Sequence, residues 1–95
     1  MEEKPDSPFK ARFRGLVSEA RGLLHLLQSV KGQLAQKAKD DKFYRMTLKR
    51  FRESGIRLAS YADAYSLVAG TSERDALLAE NGCTWDDAKK RVDLG

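Results

Sequence analysis

Apolar side chains recur through the first third of the chain at Phe9, Phe13, Leu16, Ala20, Leu23, Leu27, Val30 and Leu34, at intervals that alternate between four and three residues. That interval returns to one side of an α-helix, so it predicts about four heptads of helix beginning near Pro8, with one seam turned to one neighbour. Ser7 before Pro8 suits the start, because serine can accept from free N–H groups and proline at the first helical position loses no hydrogen bond. Gly15, Gly22 and Gly32 lie off the seam, each at about 0.5–1 kcal/mol relative to alanine, so the helix depends on packing more than on propensity. The polar run Lys39-Asp40-Asp41-Lys42 interrupts the pattern, and Asp40 or Asp41 can cap a second helix.

The same alternation then returns at Tyr44, Leu48, Phe51, Gly55, Leu58, Ala62, Tyr65 and Ala69. Two matching seams joined by a short polar turn predict a long antiparallel helical hairpin over 8–69. Ser54-Gly55 is its weak point, read as a notch in a continuous helix. Gly70 stops that helix. Ser72 and Asp75 in capping-box spacing open a short third helix over 72–80, which Asn81-Gly82 ends in a left-handed turn. Thr84 with Asp87 predicts a fourth over 85–94. The expected fold is an all-α, coiled-coil-like hairpin with two short C-terminal helices, a small bundle forming one domain over 8–95 behind a disordered tail over 1–7.

Leu23, Leu24, Leu26 and Leu27 surround His25 and cover more of the first helix than a two-stranded pair can bury. Either the C-terminal segment folds back on them through Leu77, Leu78, Trp85, Ala88 and Val92, or they form the interface of a homodimer. A chain this short is expected to leave some of that surface uncovered, with a symmetric dimer as the remedy.

Composition narrows the setting. With 41% hydrophobic and 34% charged residues in 95, the chain holds enough for one modest core and is too periodic to be disordered. No stretch approaches the roughly 20 uncharged residues of a membrane span, and the first eight residues lack the apolar centre of a secretory signal, so no membrane association is expected. A single cysteine, Cys83, fits a reducing compartment, with the cytoplasm as the expected location.

Catalytic parts are missing. His25 stands among leucines without an acid or thiol within a helical turn, Cys83 sits in a tight turn as a small packing residue, and one of each cannot build a structural zinc site. No phosphate-binding glycine loop or nucleophile motif occurs, and Asp40-Asp41 and Asp86-Asp87 are explained by helix starts. The expectation is no enzyme, no catalytic residue, no metal and no cofactor. Leu23-Leu24-His25-Leu26-Leu27 satisfies an L-x-x-L-L groove-binding pattern but coincides with the seam. Residues 77–92 have the outline of a helix-turn-helix, yet Asp86 and Asp87 would meet the phosphates at the end meant to enter the major groove.

Charge carries the strongest signal. Met1 to Arg57 holds 14 Lys/Arg against 7 Asp/Glu, whereas Leu58 to Gly95 holds 4 against 7. Lys42, Arg45, Lys49 and Arg52, spaced 3,4,3, line one stripe of the second helix beside its seam. Antiparallel pairing brings Lys31, Lys37 and Lys39 to the same end, with Arg50 close by. Phe43 is the one aromatic residue expected to be exposed among them. Lys89 and Lys90 are expected to matter less, because Asp86, Asp87 and Asp93 offset them. The expected function is non-enzymatic binding of a nucleic-acid backbone, DNA or RNA, with low sequence specificity, as an accessory part of a nucleoprotein complex. The alternative is a protein adaptor or inhibitor whose basic face meets an acidic partner and whose leucines make it dimerise.

Overall fold

The computed structural model describes residues 8–34, 37 and 40–95; the tail expected over 1–7 lies outside them. Helix α1 spans Pro8–Leu34 and α2 spans Lys42–Ala69. They run antiparallel: Phe9 stacks on Tyr65 at 4.8 Å between ring centroids, and Arg57 reaches Glu19 at 3.5 Å. Asp41 supplies the cap of α2, its carboxylate accepting from the Tyr44 N–H at 2.8 Å, which meets a donor that the first turn leaves unpaired. Helix α2 passes through Ser54-Gly55 unbroken.

The buried line of α2 differs from the expected seam along its first half. Leu58 and Ala62 are buried as anticipated, but Thr47 and Ser54 are the deepest residues before them, while Tyr44, Leu48, Phe51 and Gly55 are only half-buried. Thr47 satisfies its hydroxyl on the Phe43 carbonyl at 2.7 Å, whereas Ser54 Oγ, fully buried, has no partner among the described residues. An unpartnered hydroxyl costs about 1–3 kcal/mol, so small size rather than hydrogen bonding explains Ser54 at the crossing.

Helix α3 spans Thr71–Glu80 and starts on Gly70, without the expected Ser72 cap. Its end is a paired turn: the Cys83 N–H donates to the Leu78 carbonyl at 2.8 Å and the Gly82 N–H to the Ala79 carbonyl at 3.0 Å. These two bonds form the Schellman arrangement, which requires a left-handed residue, and Gly82 provides it at φ +70°.

The expected fourth helix is instead a small antiparallel hairpin. Strand β1, Thr84–Asp86, pairs with β2, Arg91–Asp93, in the register Thr84 with Asp93, Trp85 with Val92 and Asp86 with Arg91. The acids read as helix-start residues hold the hairpin turn. Asp86 accepts from the Lys89 N–H at 3.1 Å, and Asp87 accepts from Trp85 Nε1 at 3.3 Å while pairing with Lys90 at 3.2 Å. Trp85, Val92 and Leu94, on one side of this hairpin, pack against the core, and Ala88 stays exposed in the turn.

That core lies at one end of the long helices. Phe13, Val17 and Ala20 from α1 meet Leu58 and Ala62 from α2, with Leu77, Leu78 and Cys83 closing over them. The molecule is drawn out to 55 × 31 × 18 Å, because the far end of the helical pair lies beyond this cluster.

Two outcomes follow from this packing. Leu58→Ala, at a site 1% exposed, should lower stability by about 2–5 kcal/mol, while Leu67→Ala, at a site 83% exposed, should change it little. Equal melting shifts for the two would contradict the packing described. Gly82→Ala should cost about 1–2 kcal/mol by denaturant titration, because a left-handed residue gains a Cβ. That Cβ would also stand 2.9 Å from Arg21 Nη2.

Candidate functional site

Helix geometry sets the basic face. At 3.6 residues per turn, Lys42, Arg45, Lys49 and Arg52 fall on the side of α2 opposite Thr47, Ser54 and Leu58. All four are exposed, as are Arg50 on a flank, Lys31 near the end of α1 and Lys37 between the helices. Lys39 lies outside the described residues. None of these exposed cations has an ion-pair partner among the described residues, whereas Arg57, Arg74 and Lys90 are paired with Glu19, Asp75 and Asp87. From Lys42 to Arg57 there are six Lys/Arg and one acid, Glu53. Phe43 and Met46 are 53% and 56% exposed at the same end.

The four leucines read as an oligomer interface divide. Leu23 and Leu27 are buried within the chain, Leu24 is half-buried, and Leu26 at 39% is the most open. Burial of two of them inside the hairpin leaves a much smaller leucine face than their clustering in sequence implies. His25 is exposed. No three of His, Cys, Asp and Glu gather as a metal set among the described residues, and no helix there is long and apolar enough to cross a membrane.

Two features escape a reading of the sequence. Arg21 projects from α1 to the C-terminal segment, donating to the Gly82 carbonyl at 3.1 Å and the Leu94 carbonyl at 3.2 Å, and lying 3.8 Å from Cys83 Sγ. Its partners stand 61 to 73 residues away, so nothing in the local pattern singles it out. Burial pushes the Cys83 thiol up from its ordinary pKa; Arg21 opposes that shift and Asp93 adds to it. Burial therefore favours the neutral thiol over the thiolate. Asp87, at the hairpin turn, is held below the usual carboxylate range, first by its hydrogen bond from Lys90 and then by that from Trp85. Arg74, itself mostly covered, stacks over the Trp85 ring at 4.9 Å.

The second feature is a groove of about 590 Å³ between the long helices and the β-hairpin. Leu24, Phe51, Gly55 and Ile56 contribute from the helices, and residues 89–95 form the opposite wall. Arg52 of the stripe lines it together with Lys89, Lys90 and Arg91. The β-hairpin brings Lys89 and Lys90 to the same groove as Arg52, while Asp87 pairs with Lys90 at 3.2 Å. The chain matches no family model, no curated protein and no solved structure. Function must be argued from the site itself.

The Arg21 contacts yield a measurement. Cys83, 2% exposed, should react slowly with a water-soluble disulfide reagent in the native state. Arg21→Ala should accelerate that reaction several-fold with helix content unchanged; identical rates would mean that the guanidinium does not hold the C-terminal segment down.

Proposed function

We propose that the protein is a non-enzymatic binding protein that holds a nucleic-acid backbone along the outer face of α2, as an accessory component of a nucleoprotein assembly. The observation that carries this reading is the run of exposed cations at Lys42, Arg45, Lys49 and Arg52 on one helix face, without ion-pair partners among the described residues. The ten residue steps from Lys42 to Arg52 cover about 15 Å of helix axis at 1.5 Å per residue. On a duplex strand that is roughly four nucleotide steps of 3.4 Å, enough to meet several phosphates at once. Each contact displaces counterions and contributes affinity without reading a base. Sequence preference is correspondingly low, since no element resembling a base-reading module accompanies the stripe among the described residues.

Retardation of DNA and RNA fragments in a native gel, repeated over a range of salt, tests the reading. Replacing Arg45, Lys49 and Arg52 together by glutamine keeps helix propensity and leaves the buried face untouched, so circular dichroism should not change. The slope of log affinity against log salt should shrink by about three units, one for each cation removed. Arg57→Gln is the internal control, because Glu19 already offsets that charge at 3.5 Å. Absence of retardation of either nucleic acid by the wild-type protein at about 50 mM salt, where backbone contacts are strongest, rejects the proposal.

A further inference from the structure

The groove beside the β-hairpin has a chemistry that a phosphate backbone does not explain. Its lining is mainly aliphatic, with Leu24, Ile56, Val92 and Leu94, and Phe51 is its one aromatic ring. Nucleobases gain most from stacking on aromatic faces, which this lining hardly offers, whereas aliphatic side chains gain from any apolar surface. Four cationic side chains line the groove, Arg52, Lys89, Lys90 and Arg91, against one acidic side chain, Asp93. Lys90 is held by Asp87, and the other three have no ion-pair partner among the described residues.

Gly55 belongs to the floor of this groove. It lies inside a 28-residue helix, and a Cβ built there meets nothing within 4 Å. Gly15, Gly22 and Gly32 of α1 are equally open, so Gly55 matters only for its place in the lining. Its missing side chain does leave the lining of the groove open.

We propose that this groove docks an acidic amphipathic helix of a partner protein, with apolar side chains on the aliphatic lining and Asp or Glu residues meeting Arg52, Lys89 and Arg91. From Phe51 to Ala59 the groove follows about 12 Å of α2, roughly two turns, which accommodates anchors one turn apart on the incoming helix. The combination of charge and aliphatic lining distinguishes this occupant from a polyanion. The site adds to the nucleic-acid reading and stands without it, sharing only Arg52 with the stripe.

The probe is a fluorescein-labelled, helix-forming peptide of about four turns, with leucine on one face and glutamate on the flanks. A scrambled peptide of the same composition, a single-stranded oligonucleotide and laurate are compared with it. Anisotropy is read at about 150 mM salt, where long-range attraction between exposed charges is largely screened. The patterned peptide should bind, and both Gly55→Leu, which fills the groove, and Lys89→Gln with Arg91→Gln, which remove its cations, should weaken it about tenfold or more. Gly55→Ala should retain most of the affinity. Unchanged melting curves show that the variants fold, and the hairpin pair still decides the matter if Gly55→Leu does not. No binding by the patterned peptide, equal binding by the scrambled one, or indifference to both changes overturns the proposal. A response of only the oligonucleotide or laurate to Gly55→Leu overturns it too. Arg45 and Lys49 are untouched throughout, so nucleic-acid retardation succeeds or fails separately.

Discussion

The arrangement depends on a third layer that covers only one end of the helical pair. Phe13, Val17 and Ala20 face Leu58 and Ala62 under a lid of Leu77, Leu78 and Cys83, and no member of this cluster lies after Ala20 on α1 or before Leu58 on α2. A chain of this length has too few apolar side chains to enclose two long helices from end to end. The outer half is therefore a two-helix structure, closed by Leu23 and Leu27 and by the small polar residues Thr47 and Ser54. Surface is unavoidable there, and that is where cations most outnumber acids. The core and the excess of cations over acids therefore fall toward opposite ends of one elongated molecule.

The C-terminal hairpin makes the two ends meet. Its attachment rests on burial of Cys83 and partial burial of Trp85, Val92 and Leu94, whose apolar area contributes more than the exposed Arg21 contacts can. Arg21 acts on position: by holding the carbonyls of Gly82 and Leu94 from one guanidinium, it fixes the start and end of the segment relative to α1. The left-handed Gly82 aims the chain back across the helices, and the turn between the strands carries Lys89 and Lys90 to the groove. Without that docking the groove would lose one wall.

The long helices were legible because period and caps agreed: the seam residues, Asp41 and Gly70 mark the same boundaries that the backbone adopts. The last segment was misread for a geometrical reason. Trp85 and Val92 are seven residues apart, which places them on one face of a helix after two turns and, equally, opposite one another across a hairpin with a four-residue loop. Leu94 breaks the tie. It shares a face with Val92 only in an extended strand, and it packs on the core with Val92 and Trp85. The depth of Thr47 and Ser54 was hidden as well, since polar residues are not scored as seam members. Single cations were legible from spacing, but the groove was not, because Arg52 and Lys89 come together only through tertiary packing.

Sharing Arg52 between stripe and groove has a thermodynamic consequence. An acidic occupant that neutralises Arg52 removes one of the charges a phosphate backbone would otherwise meet, so the two ligands oppose one another even without a conformational change. Linkage makes the opposition reciprocal: the factor by which one ligand weakens the other is the same in both directions. It also makes the effect depend on salt, since the stripe loses about one unit of log–log slope when one cation is occupied elsewhere. If both proposed sites are occupied in turn, partner exchange would follow from electrostatics, with Arg52 as the point of contact between them.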